Sequence, residues 1–152
     1  MIDLEPKAEY FDYINERLGS NYNIHNATLI TSLKHDKIQA VLAFHTYVKN
    51  ERRIDFSIAS NGRKSWFSKE LAEAAIFYLF NYLDVNRVQV YISPENKAAG
   101  LMALSLGCIH EATLTDWYGP NKNAALFYLL KVDLEHSGLW RLAHGISNKV
   151  LH

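Results

Sequence analysis

The sequence predicts an α+β fold: a mixed, mainly antiparallel sheet of about six strands, flanked by helices. Six segments have the alternating apolar pattern of β-strands, and three have the apolar periodicity of helices. Their order is helix, three strands, helix, strand, helix, two strands. Because 152 residues is the length of one ordinary domain, we expect residues 1–152 to form a single unit.

The first third of the chain predicts a helix followed by a three-stranded meander. The helix covers residues 6–18 and has an apolar face made of Phe11, Ile14 and Leu18. Gly19 suits its end, because glycine readily adopts the left-handed backbone that terminates helices. Apolar segments bounded by polar turns then predict strands over residues 27–33, 38–48 and 54–59.

The middle of the chain predicts a strand, a helix and a second strand, which suits a parallel crossover. Ser68 is a suitable N-cap for a helix that runs to Leu83, and its apolar residues lie on more than one side. A strand over 87–93 follows, and then a helix over 96–106 that Gly107 closes.

The last part of the chain predicts an antiparallel pair of strands over residues 109–118 and 124–134. A Gly-Pro loop over 119–123 joins them. The tail after residue 134 contains Leu139, Trp140 and Leu142, which we expect to dock on the body.

Composition excludes several classes of protein. The 16 basic and 16 acidic residues balance, whereas nucleic-acid binders usually carry a basic excess, so nucleic-acid binding is not expected. The single cysteine, Cys108, excludes an internal disulfide framework and a cysteine-based zinc site, and the histidines lack metal-binding spacing. The apolar runs are too short for a membrane span and the N-terminus lacks the pattern of a signal peptide, which predicts a cytoplasmic location.

A polar, basic loop over residues 60–65 precedes the second predicted helix and suits an anion. A helix N-terminus presents free N–H groups and the positive end of the helix dipole. Gly62 allows close approach of the backbone, and Arg63, Lys64 and Lys69 add positive charge. A pyrophosphate has the charge and size for such a site.

These elements resemble the GNAT superfamily of acetyltransferases over nearly the whole chain. In its ribosomal-protein-acetyltransferase-like branch, a W-G-x-G-x-A-x-E-A stretch follows the fourth strand, and residues 66–74 read WFSKELAEA. The later matches are Arg87-Val-Gln-Val-Tyr-Ile92, Asn96-Lys-Ala-Ala99, Leu106-Gly-Cys108 and Glu111-Ala112. Short bacteriophage-encoded members look most similar, in the strand before Trp66, in residues 78–81 and in Trp140-Arg-Leu142.

This resemblance implies acetyl-CoA as cofactor and an amine as acceptor. It places the pyrophosphate of coenzyme A on the loop and helix start, at Gly62, Arg63, Lys64, Ser68 and Lys69. The pantetheine arm would then lie along Phe56, Ser57 and Ile58, with Asn96 and Ala99 contacting the same arm.

The sequence departs from the family pattern in the loop and at the general acid. Phe67 and Lys69 replace the two glycines, so that Phe67 would either move aside or close the site. Ala103 stands where the family often has the tyrosine that protonates the leaving thiolate, and Cys108 replaces the family phenylalanine. A core cysteine without a nearby base is not expected to be a nucleophile.

Proton transfer has several candidates in this sequence. Asp55, His45 and Glu111 are candidate bases, directly or through water. The competing interpretations are a solvated edge residue for Asp55, a surface histidine or one with its hydrogen bonds satisfied for His45, and a lysine ion pair for Glu111. Candidates to replace the missing acid are Tyr118, Tyr91 and Tyr128, although tyrosines on sheets usually serve in packing.

Three functions remain open at this stage. The first is an N-acetyltransferase acting on an unidentified amine. The second is a non-catalytic GNAT-shaped phage protein, a virion component or homo-oligomer whose apolar C-terminal segment binds a partner. The third is a phage acyltransferase that modifies nucleic-acid bases, against which the neutral net charge argues.

Overall fold

The computed structural model describes residues 1–63 and 66–146. The strands are β1 (Ile2–Asp3), β2 (Ala27–Lys34), β3 (Lys37–Val48), β4 (Arg53–Ser60), β5 (Arg87–Ile92), β6 (Ile109–Leu114) and β7 (Ala124–Leu130). The helices are α1 (Ala8–Leu18), α2 (Lys69–Ile76), α3 (Lys97–Ser105) and α4 (Gly138–Ala143).

Within the described residues, seven strands form one sheet in the order β1-β2-β3-β4-β5-β7-β6. Neighbouring strands are antiparallel except β4 and β5, which are parallel and joined by α2. The predicted mixed, mainly antiparallel α+β fold is therefore confirmed. The additional strand is β1, whose two residues are too few to show an alternating pattern.

The core lies on both faces of the sheet, and β3 shows why. Successive side chains of a strand point to opposite faces. Leu42 and Phe44 pack in the main cluster with residues of α2, whereas Val41 and Ala43 pack in a second cluster with residues of α1. The middle of β3 is consequently buried on both sides.

Helix α1 begins at Ala8, two residues later than predicted, and ends as predicted. Gly19 adopts a left-handed backbone (φ 63°) and donates its N–H to the Asn15 carbonyl. Tyr10, Phe11 and Ile14 are buried, whereas Leu18, predicted on the same face, is 45% exposed. Leu18 is exposed because the last turn of α1 lines the open cleft described below, and Leu18 is not part of the core cluster that holds Tyr10, Phe11 and Ile14.

Helix α2 begins as predicted, since Ser68 Oγ accepts a hydrogen bond from the Leu71 N–H at 3.1 Å. Its continuation over Phe77–Tyr82 is π-helical, and the Leu83 N–H bonds to the Tyr78 carbonyl five residues back. In this wider turn Leu79 and Phe80 are buried while Phe77 and Tyr82 are exposed. The aromatic composition of residues 77–82 predicts that the whole run belongs to the core, and this is wrong for Phe77 and Tyr82.

The two C-terminal strands end earlier than predicted, at Leu114 and Leu130. Residues Lys131–His136 form a 3₁₀ turn, and α4 then returns to the body, where the Leu139 N–H bonds to the Leu106 carbonyl at 3.1 Å. Leu139 is buried, and Trp140 and Leu142 pack against the main cluster. The tail therefore docks as predicted, and Leu139 is not an exposed surface for a partner.

Candidate active site

The sheet opens between its two parallel strands. β4 and β5 pair at only three positions, Arg53 with Arg87, Ile54 with Val88 and Asp55 with Gln89. Beyond Asp55, β4 stays paired with β3 and β5 stays paired with β7, so each strand keeps one free backbone edge. The gap between these edges is a cleft of about 1570 Å³. This volume exceeds that of ordinary small-molecule pockets, roughly 300–1,000 Å³.

Most residues predicted to bind the cofactor line this cleft. The lining includes Phe56, Ser57, Ile58, Gly62, Arg63, Asn96 and Ala99. Asn96 also caps α3, because its Oδ1 accepts the Ala99 N–H at 3.2 Å. The β4 residues reach the cleft because they lie beyond the last pair with β5.

Other predicted cofactor residues lie elsewhere. Ser68 is occupied in capping α2, and the exposed Lys69 ammonium lies 3.8 Å from the Glu73 carboxylate, so neither lines the cleft in the described chain. Lys64 lies outside the described residues. Phe67, in one of the glycine positions, packs on the main core cluster, while its neighbour Trp66 faces the cleft. Phe67 therefore does not fill the cleft.

The charges on the cleft wall favour an anion. Arg17, Arg63 and Lys122 line it, against Glu95 alone among the described acidic residues. Gly62 has a φ of +78°, and a Cβ there would meet nothing within 4 Å. Glycine is thus suited to this position by its backbone conformation, and the open space leaves the loop backbone accessible.

Three polar side chains meet close to the point where β4 and β5 part. The Tyr22 Oη lies 2.7 Å from the Ser57 Oγ and 3.1 Å from the His45 Nε2. The Ser57 Oγ is also 3.1 Å from the same nitrogen. Tyr22 and Ser57 line the cleft, and His45 stands behind them.

Sequence reasoning missed Tyr22. It lies in the segment between α1 and β2, which has no periodic pattern. Asn15 of α1 holds it in place, since the Asn15 Oδ1 accepts the Tyr22 N–H at 2.9 Å and the Asn15 Nδ2 donates to the Tyr22 carbonyl at 2.9 Å. The nearest signal in the sequence is an asparagine within a helix, which is too common to indicate a site.

A bulge in β3 orients His45. The β3–β4 register shifts between His45 and Val48, and Thr46 within this stretch has a φ of +53°. Such a backbone is unusual for a β-branched residue and costs about 1–3 kcal/mol. The Thr46 Oγ1 lies 3.0 Å from the His45 Nδ1. Burial lowers the pKa of His45, and the Asp55 carboxylate opposes that shift.

Asp55 is the cross-strand neighbour of His45 on β4. It is only 6% exposed, and its Oδ1 has no hydrogen-bond partner in the described part of the chain. Burial raises its pKa, while the Gln89 side chain and the positive charges of His45 and Arg53 act in the opposite direction. The interpretation of Asp55 as a solvated edge residue is wrong, because β4 is a central strand.

Two tyrosines face the cleft from the β5 side. The Tyr91 Oη accepts a hydrogen bond from the Gln89 Nε2 at 3.0 Å, and its ring stacks on Trp117 at 4.7 Å. Tyr118 is half-exposed and lines the cleft. Burial raises the pKa of both phenols, so each remains protonated at neutral pH and can donate a proton. Ala103 also lines the cleft and offers no hydroxyl.

The remaining candidates lie away from the described cleft wall. The Glu111 carboxylate pairs with the Arg87 guanidinium at 2.7 Å, so its partner is an arginine and not the lysine considered above. That guanidinium also covers the Tyr128 ring at 4.5 Å. Cys108 is buried, and burial raises the pKa of its thiol to about 11, which disfavours a nucleophilic thiolate.

The described residues contain no group of three or more His, Cys, Asp or Glu side chains placed to hold a metal ion. In the same part of the chain, every helix is too short or too polar to cross a membrane.

Comparisons with known proteins agree on the fold. No family model and no curated protein matches this sequence. The spermidine/spermine N-acetyltransferase SpeG from Vibrio cholerae, solved with manganese ions, matches with a TM-score of 0.71 and 13% identity over 90% of this chain and 95% of its own. A point mutant of the spermidine N-acetyltransferase SpeG from the same organism has a TM-score of 0.63 and 16% identity over 81% of this chain and 76% of its own.

A probable acetyltransferase matches with a TM-score of 0.62 and 16% identity, over 80% of this chain and 69% of its own. At these identities the likeness establishes the fold alone. The chain has the fold of the GNAT acetyltransferases.

Proposed function

We propose that this protein transfers an acetyl group from acetyl-CoA to an amine. The observation that carries the proposal is the separation of β4 and β5 after three paired residues, which opens a large, positively lined cleft within a GNAT acetyltransferase fold. The solved neighbours named as acetyltransferases, SpeG among them, support the same chemistry.

The cleft fits the two parts of coenzyme A. A pyrophosphate needs positive charge, which Arg63 supplies, and close approach of the backbone, which Gly62 allows. In the free protein the N–H groups of Gly62 and Arg63 donate to the Ser60 Oγ and the Asn61 Oδ1, so the pyrophosphate would replace these local acceptors. The pantetheine arm carries amides, which match the free backbone edge of β4 beyond Asp55. Phe56 and Ile58 can therefore be apolar and still border the cofactor, because the backbone would make the polar contacts. Bound acetyl-CoA supplies an activated thioester carbonyl.

The leaving thiolate needs a proton donor in place of the absent tyrosine at position 103. We propose that Tyr118 takes this role. It lines the cleft, it is accessible from solvent, and its phenol stays protonated at neutral pH. Tyr91 is the less suitable donor, because Gln89 and Trp117 hold it on two sides.

Calorimetric titration with acetyl-CoA, and separately with free CoA, tests the proposal. We expect binding of both, and weaker binding in an Arg63→Ala variant because a cationic contact is lost. Lys34→Ala is the matched control, since this exposed lysine at the end of β2 lies outside the cleft. Absence of binding at millimolar acetyl-CoA would refute the proposal.

Spermidine is a reasonable first acceptor to test, because the solved neighbour SpeG is named for it. Release of CoA thiol in its presence would identify an amine acceptor. A bacteriophage origin, a virion partner, a homo-oligomer and a cytoplasmic location stay predictions from the sequence.

A further inference from the structure

We propose that the hydroxyls of Ser57 and Tyr22 relay the proton released by the acceptor to His45, which is the proton-accepting group of the reaction. This inference deepens the proposed acetyl transfer and rests on it. Tyr22, which sequence reasoning missed, is thereby assigned a functional role.

The positions of the two hydroxyls between the cleft and His45 support the relay. The two hydroxyls stand in the cleft wall, and both reach the same nitrogen of His45 at 3.1 Å. His45 itself does not line the described cleft, so a proton from the cleft reaches it through one of these hydroxyls. Serine and tyrosine hydroxyls both donate and accept hydrogen bonds, which a relay requires.

The other ring nitrogen has a hydrogen-bond partner of its own. The His45 Nδ1 lies 3.0 Å from the Thr46 Oγ1, whereas Nε2 is the nitrogen that Ser57 and Tyr22 reach. We assign the proton of the neutral imidazole to Nδ1, where it is donated to that oxygen. The Nε2 lone pair then faces Ser57 and Tyr22 and is free to accept.

The proton balance of the step is complete with these groups. The acceptor nitrogen forms a bond to the thioester carbon, and the carbon–sulfur bond breaks. The proton leaving the nitrogen passes to the Ser57 or Tyr22 oxygen, whose own proton moves to the His45 Nε2. The thiolate takes a proton from Tyr118, and the products are an amide and free CoA. His45 then returns its proton to solvent and Tyr118 takes one from solvent, which restores both groups.

Charge around His45 favours this transfer. Asp55 faces the ring from β4 and Tyr22 faces it from the segment after α1. The carboxylate of Asp55 stabilises the imidazolium that forms. Asp55 in turn interacts with Arg53, Arg87, Gln89 and Tyr91, none of which contacts the His45 ring through a hydrogen bond in the described chain. Because burial lowers the pKa of His45, the ring is neutral and able to accept at pH 7.

Long-range ¹H–¹⁵N NMR of histidine-labelled protein tests the assignment without any acceptor. His45→Gln identifies the signal. We expect a proton on Nδ1, a bare Nε2 and a pKa below the ordinary value of about 6.5. Asp55→Asn should lower this pKa further, because the carboxylate that favours the imidazolium is gone. A proton on Nε2 in the neutral ring would overturn the relay.

The pH dependence of enzyme-catalysed acetyl-CoA hydrolysis, with water as the acceptor, tests the role in catalysis. We expect His45→Gln to reduce kcat/KM at least about 100-fold and to abolish the acidic limb of the profile. Its Kd for acetyl-CoA should be unchanged, since His45 lies behind the wall. Asp55→Asn should move the acidic limb to lower pH.

Variants of the two hydroxyls separate a relay from simple packing. Tyr22→Phe and Ser57→Ala should each retain part of the activity, because the other hydroxyl still reaches Nε2, and the double variant should match His45→Gln. The control is His25→Gln, an exposed histidine outside the cleft. If the unaltered protein does not bind acetyl-CoA, the proposed function itself is refuted. Intact binding with an unchanged pH profile in His45→Gln would refute only the relay.

Discussion

Asp3 is held in its ionised form by three neighbours. The Tyr10 Oη donates to one carboxylate oxygen at 2.5 Å, the Glu5 N–H donates to the other at 3.0 Å, and the Lys7 ammonium lies at 3.2 Å. These groups lower the pKa of Asp3 from 3.8 to about 2. Because the folded pKa is depressed, this contribution to stability is present above about pH 4 and is lost as the pH falls through about 2.

We expect Tyr10→Phe to raise the pKa of Asp3 more than Lys7→Ala does. The Tyr10 hydrogen bond is the largest cause of the shift, whereas Lys7 contributes less. A ¹³C NMR titration of the Asp3 carboxyl from pH 5 to 1.5 measures both. Equal shifts in the two variants would contradict this ranking.

Cys108 should be unreactive in the folded protein. With a thiol pKa of about 11, roughly one molecule in a thousand carries a thiolate at pH 8. We expect no reaction with Ellman's reagent in the native state and one thiol per chain in guanidinium chloride, since the sequence has a single cysteine. Rapid native labelling would show that the thiol is accessible. If native Cys108 does not react, Ellman's reagent can also be used to measure the thiol of released CoA without a background from the protein.

At the scale of the elements, α4 packs against the end of α3 because its first residue, Gly138, has no side chain. A Cβ at Gly138 would lie 1.8 Å from the Ser105 carbonyl oxygen at the end of α3. This close contact is backbone against backbone, so the neighbour cannot rotate away. It lets Leu139 enter the main core cluster.

We therefore expect Gly138→Ala to destabilise the protein by about 1–3 kcal/mol or more, through overpacking. Gly100→Ala is the matched control, because Gly100 lies inside α3 and its nearest neighbour would be the Phe127 ring at 3.9 Å. That change should stabilise by about 0.5–1 kcal/mol, since alanine favours helix. Urea unfolding measures both, and equal effects would exclude the packing argument.

At the scale of the whole molecule, the sheet consists of two parts joined by the short β4–β5 ladder. Beyond the closed end of that ladder, Asp84 pairs with both Arg52 and Lys131, which bridges the two parts. The open end has no such bridge in the described chain. The molecule is therefore closed at one end of these strands and open at the other, where the cleft lies.

Hydrogen exchange should report this asymmetry. In the free protein we expect rapid exchange of the β4 amides within residues 56–60 that point to the cleft, because they have no strand partner there. Acetyl-CoA should slow exchange in this segment and in the loop around Gly62, while β2 stays unchanged as the internal control. Unchanged exchange with saturating acetyl-CoA would place the cofactor elsewhere.

Much of the fold was predictable because it depends on local pattern. The alternation over residues 38–48 indicates a strand, Gly19 indicates a helix end, and Ser68 indicates a helix start; all three are confirmed. The same reasoning failed for β1, for the ends of β6 and β7, and for the π-helical turn. β1 and the strand ends depend on which distant segment offers a backbone partner, and periodicity does not contain that information. The π-helical turn is made by local bonds five residues apart, which the apolar pattern does not distinguish from those of an α-helix.

The sequence by itself determined the order of strands β2 to β7 and of helices α1 to α3, because periodicity and caps are local properties. Only the tertiary structure decided where β4 and β5 part and which side chains meet there. Tyr22 and Ser57 are 35 residues apart in sequence, yet their oxygens are 2.7 Å apart. The burial of Asp55 likewise follows from the central place of β4. Contacts between distant segments depend on how the elements pack, so the proton relay could be inferred only after folding had brought these side chains together.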